Sequence, residues 1–317
     1  MTDIEVLEFI PAERIVKRDT VIRENKAVFI SDIHLHPDMP QITHRFYSFI
    51  QWAAIHTKSV YILGDFLHAW PGDDAMDTWS GAIADQLAWL SSQGVSVYFM
   101  SGNRDFLVGK RFLVRANMQR LLESTVIQLG DEHVLLVHGD RYCTRDTKHQ
   151  WLRRLTRNRV FTGLFLSLPY TWRARIVNQV REYSQMNQQK LLGSVNHSFS
   201  MQSSPMFRGL SAESMDPADK PRGVELEDSG VDIRVNRQQT PEKMAVVPAT
   251  MIRHLRHFRV KTVIHGHTHQ PGLTMHRDAS GEYRQYVLSD WDRDPQLMCY
   301  NDSCKLHFIH FGDGHGC

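Results

Sequence analysis

The stretch KAVFISDIH, Lys26–His34, is an apolar run that breaks off in an acid and an imidazole two residues apart, Asp32 and His34. Four further runs end in the same manner. SVYIL (Ser59–Leu63) stops at Gly64-Asp65, and VSVYFM (Val95–Met100) leads into Gly102-Asn103-Arg104-Asp105. HVLLV (His133–Val137) meets His138-Gly139-Asp140, and VKTVIH (Val260–His265) meets Gly266-His267-Thr268-His269. Short runs rich in Val, Ile, Tyr and Phe read as buried strands. Helical patterns separate them. From Pro40 onward, Ile42, Phe46, Phe49, Ile50 and Ala53 share a face, while Trp79, Ile83, Leu87 and Leu90 line a second helix that Gly94 closes. Strands alternating with helices predict an α/β layered core.

The composition narrows the function classes. The chain has 317 residues, 42% of them apolar and 23% charged, as in a folded globular protein. Lys and Arg number 37 against 35 Asp and Glu, a balance too even for a nucleic-acid binder that works by overall charge, so no nucleic-acid partner is expected. Cys143, Cys299, Cys304 and Cys317 form no C-x-x-C pair, which argues against a zinc ribbon or a disulfide scaffold and for a reducing compartment. Asp3, Glu5 and Glu8 interrupt the first apolar residues, unlike a signal peptide. No run approaches the ~20 uncharged apolar residues of a membrane span.

Charge is not spread evenly. Between residues 145 and 190 stand ten Lys or Arg and only two acids, a local excess of eight in a chain whose total is +2. Inside that basic stretch lie thirteen residues without charge, Val160–Trp172. Two readings stand side by side: an ordinary amphipathic helical subdomain, or a basic, apolar cap that meets an amphiphile or an anionic membrane surface. Residues 193–242 show no convincing period and read as a long loop or insertion. The first 25 residues read as a peripheral extension able to add an edge strand.

The five polar clusters offer Asp32, His34, Asp65, Asn103, His138, His267 and His269, each just past a strand, where an α/β sheet presents its loops to a ligand. Carboxylate, imidazole and amide groups without thiolate suit Mn²⁺, Fe²⁺ or Zn²⁺. Seven side chains are more than one ion takes from a protein; two ions ~3.5–4 Å apart, sharing a carboxylate, accommodate them. Singly, D-x-H and G-D are common turns. It is the ordered series D-x-H, G-D, G-N-R-D, H-G-D and G-H-T-H, each behind a strand, that points to a metal site.

That series resembles the calcineurin-like metallophosphoesterase superfamily. The resemblance implies a four-layer αββα sandwich whose five motifs line a two-metal site. It assigns Asp32, His34, Asp65 and His269 to one ion and Asp65, Asn103, His138 and His267 to the other, with Asp65 bridging. The domain would run over 26–317 behind an N-terminal extension over 1–25, with a helical lid over 146–192 and a flexible insertion over 193–242.

The flanking residues narrow the likeness. YILGDFLHAWPGDD (Tyr61–Asp74), YFMSGNRDFLVGKRF (Tyr98–Phe112), VHGDRYCTRD (Val137–Asp146) and HGHTHQP (His265–Pro271) are similar to the UDP-2,3-diacylglucosamine hydrolase family of lipid A biosynthesis. The likeness implies a hydrolase, active with two divalent ions, most simply Mn²⁺. It would cleave the pyrophosphate of UDP-2,3-diacylglucosamine to UMP and 2,3-diacylglucosamine 1-phosphate, peripheral on the cytoplasmic face of the inner membrane. Asn103, Arg104, His138 and His267 would carry the chemistry, Arg104 holding phosphoryl oxygens rather than a surface ion pair to Asp105. Asn103, Arg104, Asp146, Ser184, Asn187, Lys190 and His267 would contact substrate, and Phe161, Leu164, Phe165, Leu166 and Leu168 would wall an acyl groove. Asp140 would either orient His138 or stabilise a turn. His68 stands where the family has an acid and is expected to hold no metal. Two alternatives remain open on sequence: a metallophosphoesterase for another phosphodiester or nucleotide, and a non-catalytic metal-binding scaffold.

Overall fold

The computed structural model describes residues 5–11, 25–179, 245–292 and 294–311. Two six-stranded sheets face one another. The first contains β2 (Ala27–Ile30), β3 (Ser59–Ile62), β4 (Ser96–Phe99) and β5 (Gln119–Arg120), all parallel, extended beyond β2 by antiparallel β11 (Gln296–Asn301) and β12 (Lys305–His310). The second runs in the order β1 (Glu5–Pro11), β9 (Gly272–Asp278), β10 (Gly281–Val287), β8 (Thr262–His265), β7 (Glu132–Leu136) and β6 (Thr125–Leu129). Its β7, β8 and β10 are mutually parallel. Part of the expected N-terminal extension is thus an edge strand, antiparallel to β9.

Helices cover both outer faces. Against the first sheet lie α1 (Pro40–His56), α2 (Thr78–Ser92) and α3 (Lys110–Arg115); α6 (Pro248–Phe258) covers the second. The core therefore divides into three sections. Ile42, Phe46, Phe49, Ile50 and Ala53 of α1, the five residues whose spacing marked one helical face, are the buried ones, packed with Val28, Ile30, Val60 and Ile62. Phe29, Leu63, Met100, Leu136, Ile264 and Met298 fill the space between the sheets, and Leu135, Val137, Met251 and Leu255 join α6 to the second sheet. Each such side chain contributes roughly 1.5–3 kcal/mol by burial. This is the αββα sandwich.

Parallel strands carry their loops to one rim. The segments after β2, β3, β4, β7 and β8 hold all five polar clusters there. Helices α4 (Thr147–Thr156) and α5 (Arg159–Leu166), followed by a helical stretch over 170–179, project from the segment after β7. Neither α4 nor α5 has a buried residue. The expected insertion over 193–242 and the lid residues beyond 179 lie outside the described residues.

Candidate metal centre

The glycine of each motif lets one loop press against the next. A side chain at Gly102 would collide with the Asp65 carboxylate, and one at Gly266 would collide with Ser31 and Asp32. The loops interlock as a result. Buried Asp105 staples two of them, its Oδ1 accepting from the Gly102 amide at 2.7 Å and its Oδ2 from the Phe66 amide at 2.8 Å. Burial and the Asp65 charge push the Asp105 carboxyl up to about 6. Asp32 is placed by Ser31 Oγ at 2.5 Å and the His267 amide at 2.8 Å, both donating to Oδ2.

The seven expected ligand residues meet at this rim. Ligand atoms of Asp32, His34 and His269 lie within 4.8 Å of one another, as do those of Asp32, Asp65 and His138. His269 Nε2 is 3.3 Å from Asp32 Oδ1, and His34 Nε2 is 3.4 Å from Asp65 Oδ2. His138 Nε2 lies 2.9 Å from Asn103 Oδ1 and 3.7 Å from Asp65 Oδ1. The His138 and His267 rings stand 5.2 Å apart. Both carboxylates, Asp32 as well as Asp65, thus sit between the imidazoles.

The backbone is held out of its easy range here. Asp32, His34, Asp65, His267 and His269 all have φ between 52° and 70°, five of the eight non-glycine residues with positive φ among those described. Such conformations cost about 1–3 kcal/mol each and persist where the surroundings over-determine them.

Electrostatics fit a cation. Burial alone would raise both carboxyls, but His269 holds Asp32 below the usual carboxylate range, and His138 with His34 does the same for Asp65. Conversely, burial opposes a proton on His269, yet Asp32 and Asp290 raise it to about 10. His138 is raised against its burial by Asp65 and Asp32, whereas burial drives His267 well down. The histidine protons mark where positive charge is wanted. Among the described residues, buried Asp32 Oδ1 accepts no well-aligned hydrogen bond and has His269 Nε2 at 3.3 Å beside it, as expected of an oxygen that shares a metal with that imidazole.

Arg104 turns to the centre, not to its neighbour Asp105: its Nε is 3.4 Å from Asp65 Oδ2, and its backbone amide donates to Asp65 Oδ1 at 2.9 Å. His68 lies beside it, Nδ1 3.5 Å from Arg104 Nη1. Of the two roles open to Asp140, orienting His138 is taken by another group, since His138 Nδ1 donates to the Leu63 carbonyl at 2.9 Å. Asp140 faces Arg153 at 3.2 Å. Asp146 caps α4, accepting from the His149 amide at 2.9 Å. Ser184, Asn187 and Lys190 lie outside the described residues. Two neighbours escaped the sequence reading: Asp290, 3.3 Å from His269 Nδ1, and His149, whose ring centroid is 5.3 Å from that of His267. A carboxylate beside the second nitrogen of a ligand histidine is a general expectation, but nothing in the local pattern marks which acid supplies it.

Residues 26–189, just over half of the chain, match the calcineurin-like phosphoesterase family. The UDP-2,3-diacylglucosamine hydrolase of Pseudomonas putida strain W619 is 35% identical over 266 residues, 84% of this chain and 91% of that protein. The chain belongs to this family. The hydrolase of the same description from Serratia proteamaculans is 35% identical over 86% of this chain and 93% of its own length. A third, from Pseudomonas aeruginosa, is 34% identical over 84% of this chain. Membership makes the chain a metal-dependent phosphoesterase using divalent ions. At the rim, two groups of buried or half-buried Asp and His residues could hold such ions.

Proposed function

We propose that this chain hydrolyses the pyrophosphate of UDP-2,3-diacylglucosamine, releasing UMP and 2,3-diacylglucosamine 1-phosphate, as a step of lipid A biosynthesis. The observation that carries the reading is the gathering of Asp32, His34, Asp65, Asn103, His138, His267 and His269 at one rim, in a chain of this family. Asp32, His34, Asp65 and His269 would hold one divalent ion, and Asp65, Asn103, His138 and His267 the other; we take both to be Mn²⁺. Bound ions of this kind supply Lewis acidity, a water nucleophile at neutral pH and neutralisation of phosphate charge.

The protein's own part is placement. Arg104, a fixed fork of donors beside the centre, is suited to holding phosphoryl oxygens as charge develops on them. The departing sugar phosphate is already a stable anion, so no dedicated general acid is required. Binding falls to the helices over 147–179. Of the twelve large apolar side chains exposed among the described residues, seven lie between Trp151 and Ile176. Phe165 docks on the core and stacks with Phe161, while Leu164 and Leu166 remain open. Burying acyl chains there yields about 0.8 kcal/mol per methylene, and each arginine near an anionic leaflet adds about 1 kcal/mol. We infer a lid over 146–192 that docks peripherally on the cytoplasmic face of the inner membrane. No described helix is long and apolar enough to cross it.

The test is direct. Purified protein with Mn²⁺ and UDP-2,3-diacylglucosamine in ¹⁸O-water should yield UMP carrying the label, since attack falls on the phosphorus next to uridine. Label in the sugar phosphate would refute that site of attack. Equal rates on generic phosphodiesters would favour a broader phosphoesterase instead.

A further inference from the structure

Helix α4 is held to the body of the protein by polar contacts, and these fall on a particular set of loops. Beside the Asn103 loop, Arg157 at the end of α4 donates from Nη2 to the carbonyls of Ser101 and Gly102, both at 3.1 Å. On the His138 loop, Gln150 Nε2 donates to the Asp140 carbonyl at 2.7 Å and to the Cys143 carbonyl at 3.2 Å. Arg153 Nε adds an ion pair to the Asp140 carboxylate at 3.2 Å. On the His267 loop, the His149 ring lies over that of His267, tilted by 32°. Glu123, just ahead of β6, joins Arg153 and Arg157.

These three loops carry Asn103, His138 and His267, the three ligands assigned to one cation alone; His269, assigned to the other, follows two residues after His267. The residues assigned to the other are held mainly by different means: Asp32 by Ser31 as well as by the His267 amide, His34 against Asp65, and His269 between Asp32 and Asp290. A helix without buried side chains has no apolar core to fix it. Its seating rests on directional contacts that depend on loop geometry, and the loops depend on it in turn.

We propose that α4 is a clamp on the second cation's ligand loops, with Arg157 the positioning residue. Seating of α4 raises affinity for that ion, and binding of that ion seats α4; linkage requires the two effects to be reciprocal. The lid is thereby coupled more directly to one half of the centre than to the other. This inference rests on the ligand partition proposed above.

The test is a Mn²⁺ titration of the full chain, free ion followed by its electron paramagnetic resonance signal, for the wild type, Arg157→Ala, Arg157→Lys and Asn103→Ala. Removing a residue that supports a metal ligand costs about 10–100-fold in affinity. Arg157→Ala should weaken one site by about tenfold and leave the other within about twofold, while Arg157→Lys recovers part of the loss. Saturating Mn²⁺ should slow chymotryptic cleavage at Trp151 and Phe161 in the wild type and much less in Arg157→Ala. Wild-type affinity at both sites of Arg157→Ala, or equal weakening of the two, would overturn the clamp. Asn103→Ala should lose one ion. If it keeps both, the ligand partition falls and the clamp with it; if it loses one while Arg157→Ala binds normally, the clamp alone falls.

Discussion

At the residue scale, the centre is built from groups that the metal-free chain holds at a cost. Five candidate ligand residues have positive φ, and two carboxylates are buried together. Asp65→Ala or His138→Ala should therefore abolish nearly all turnover, read as UMP release, while circular dichroism stays unchanged, because each removes a ligand rather than core packing. Asp290 supports His269 from 3.3 Å. Asp290→Asn should weaken metal binding about 10–100-fold, a loss visible by titration before any assay of activity. Protons report on the same pair. His269 is raised to about 10, above its unfolded value. In the metal-free chain its contribution to stability is thus full below pH ~6.5 and lost as pH rises toward 10. An entering ion must displace that proton, so metal affinity should rise with pH across this window. Calorimetry in buffers of different ionisation heat should show proton release; its absence would mean that His269 is not a ligand. The candidate ligands were legible because Asp, His and Asn clustered directly behind apolar runs. Asp290 and His149 were not, since their roles arise from distance in space alone.

At the element scale, local sequence governed what could be read. Strands β2, β3, β4, β7 and β8 stand within a few residues of the runs that predicted them, being short and largely apolar. The C-terminal strands β9–β12 were not assigned in advance: β9 and β12 mix buried, half-exposed and exposed positions without a regular alternation and carry charges, so no continuous apolar run marks them. Helix α2 shows how local chemistry sets a boundary. Asp77 accepts from the Ser80 amide at 2.8 Å while Ser80 Oγ accepts from the Asp77 amide at 2.9 Å, a reciprocal cap. Asp77→Ala should lower unfolding free energy by about 1 kcal/mol, measured by urea denaturation, with turnover unaffected. The basic, apolar stretch over 145–190 was recognised by composition, but its contacts were not, because arginines that bind backbone carbonyls look the same in sequence as arginines in water.

At the scale of the whole molecule, two sheets bring loops from residues 32 and 269 to one rim, and the bound ions should tie those sheets together. Saturation at ~100 Kd stabilises a fold by about 2.7 kcal/mol per site, so a chelator should lower the melting temperature measurably. An α/β layered core followed from the alternation of strands and helices, and the αββα sandwich from the family resemblance of the motifs; the interlocking of the loops through Gly102 and Gly266 required coordinates. Charge is nearly balanced overall and concentrated in the helices after β7. Vesicle binding should accordingly need anionic lipid, weaken with salt, and fall when Leu164 is changed to Glu. All of this depends on a pair of cations held where strands from both sheets end. Anomalous diffraction from a Mn²⁺-soaked crystal measures that most directly. Two peaks ~3.5–4 Å apart, with Asp65 between them and His267 and His269 on different ions, are the predicted result; a single peak, or density away from Asp32 and Asp65, would contradict it.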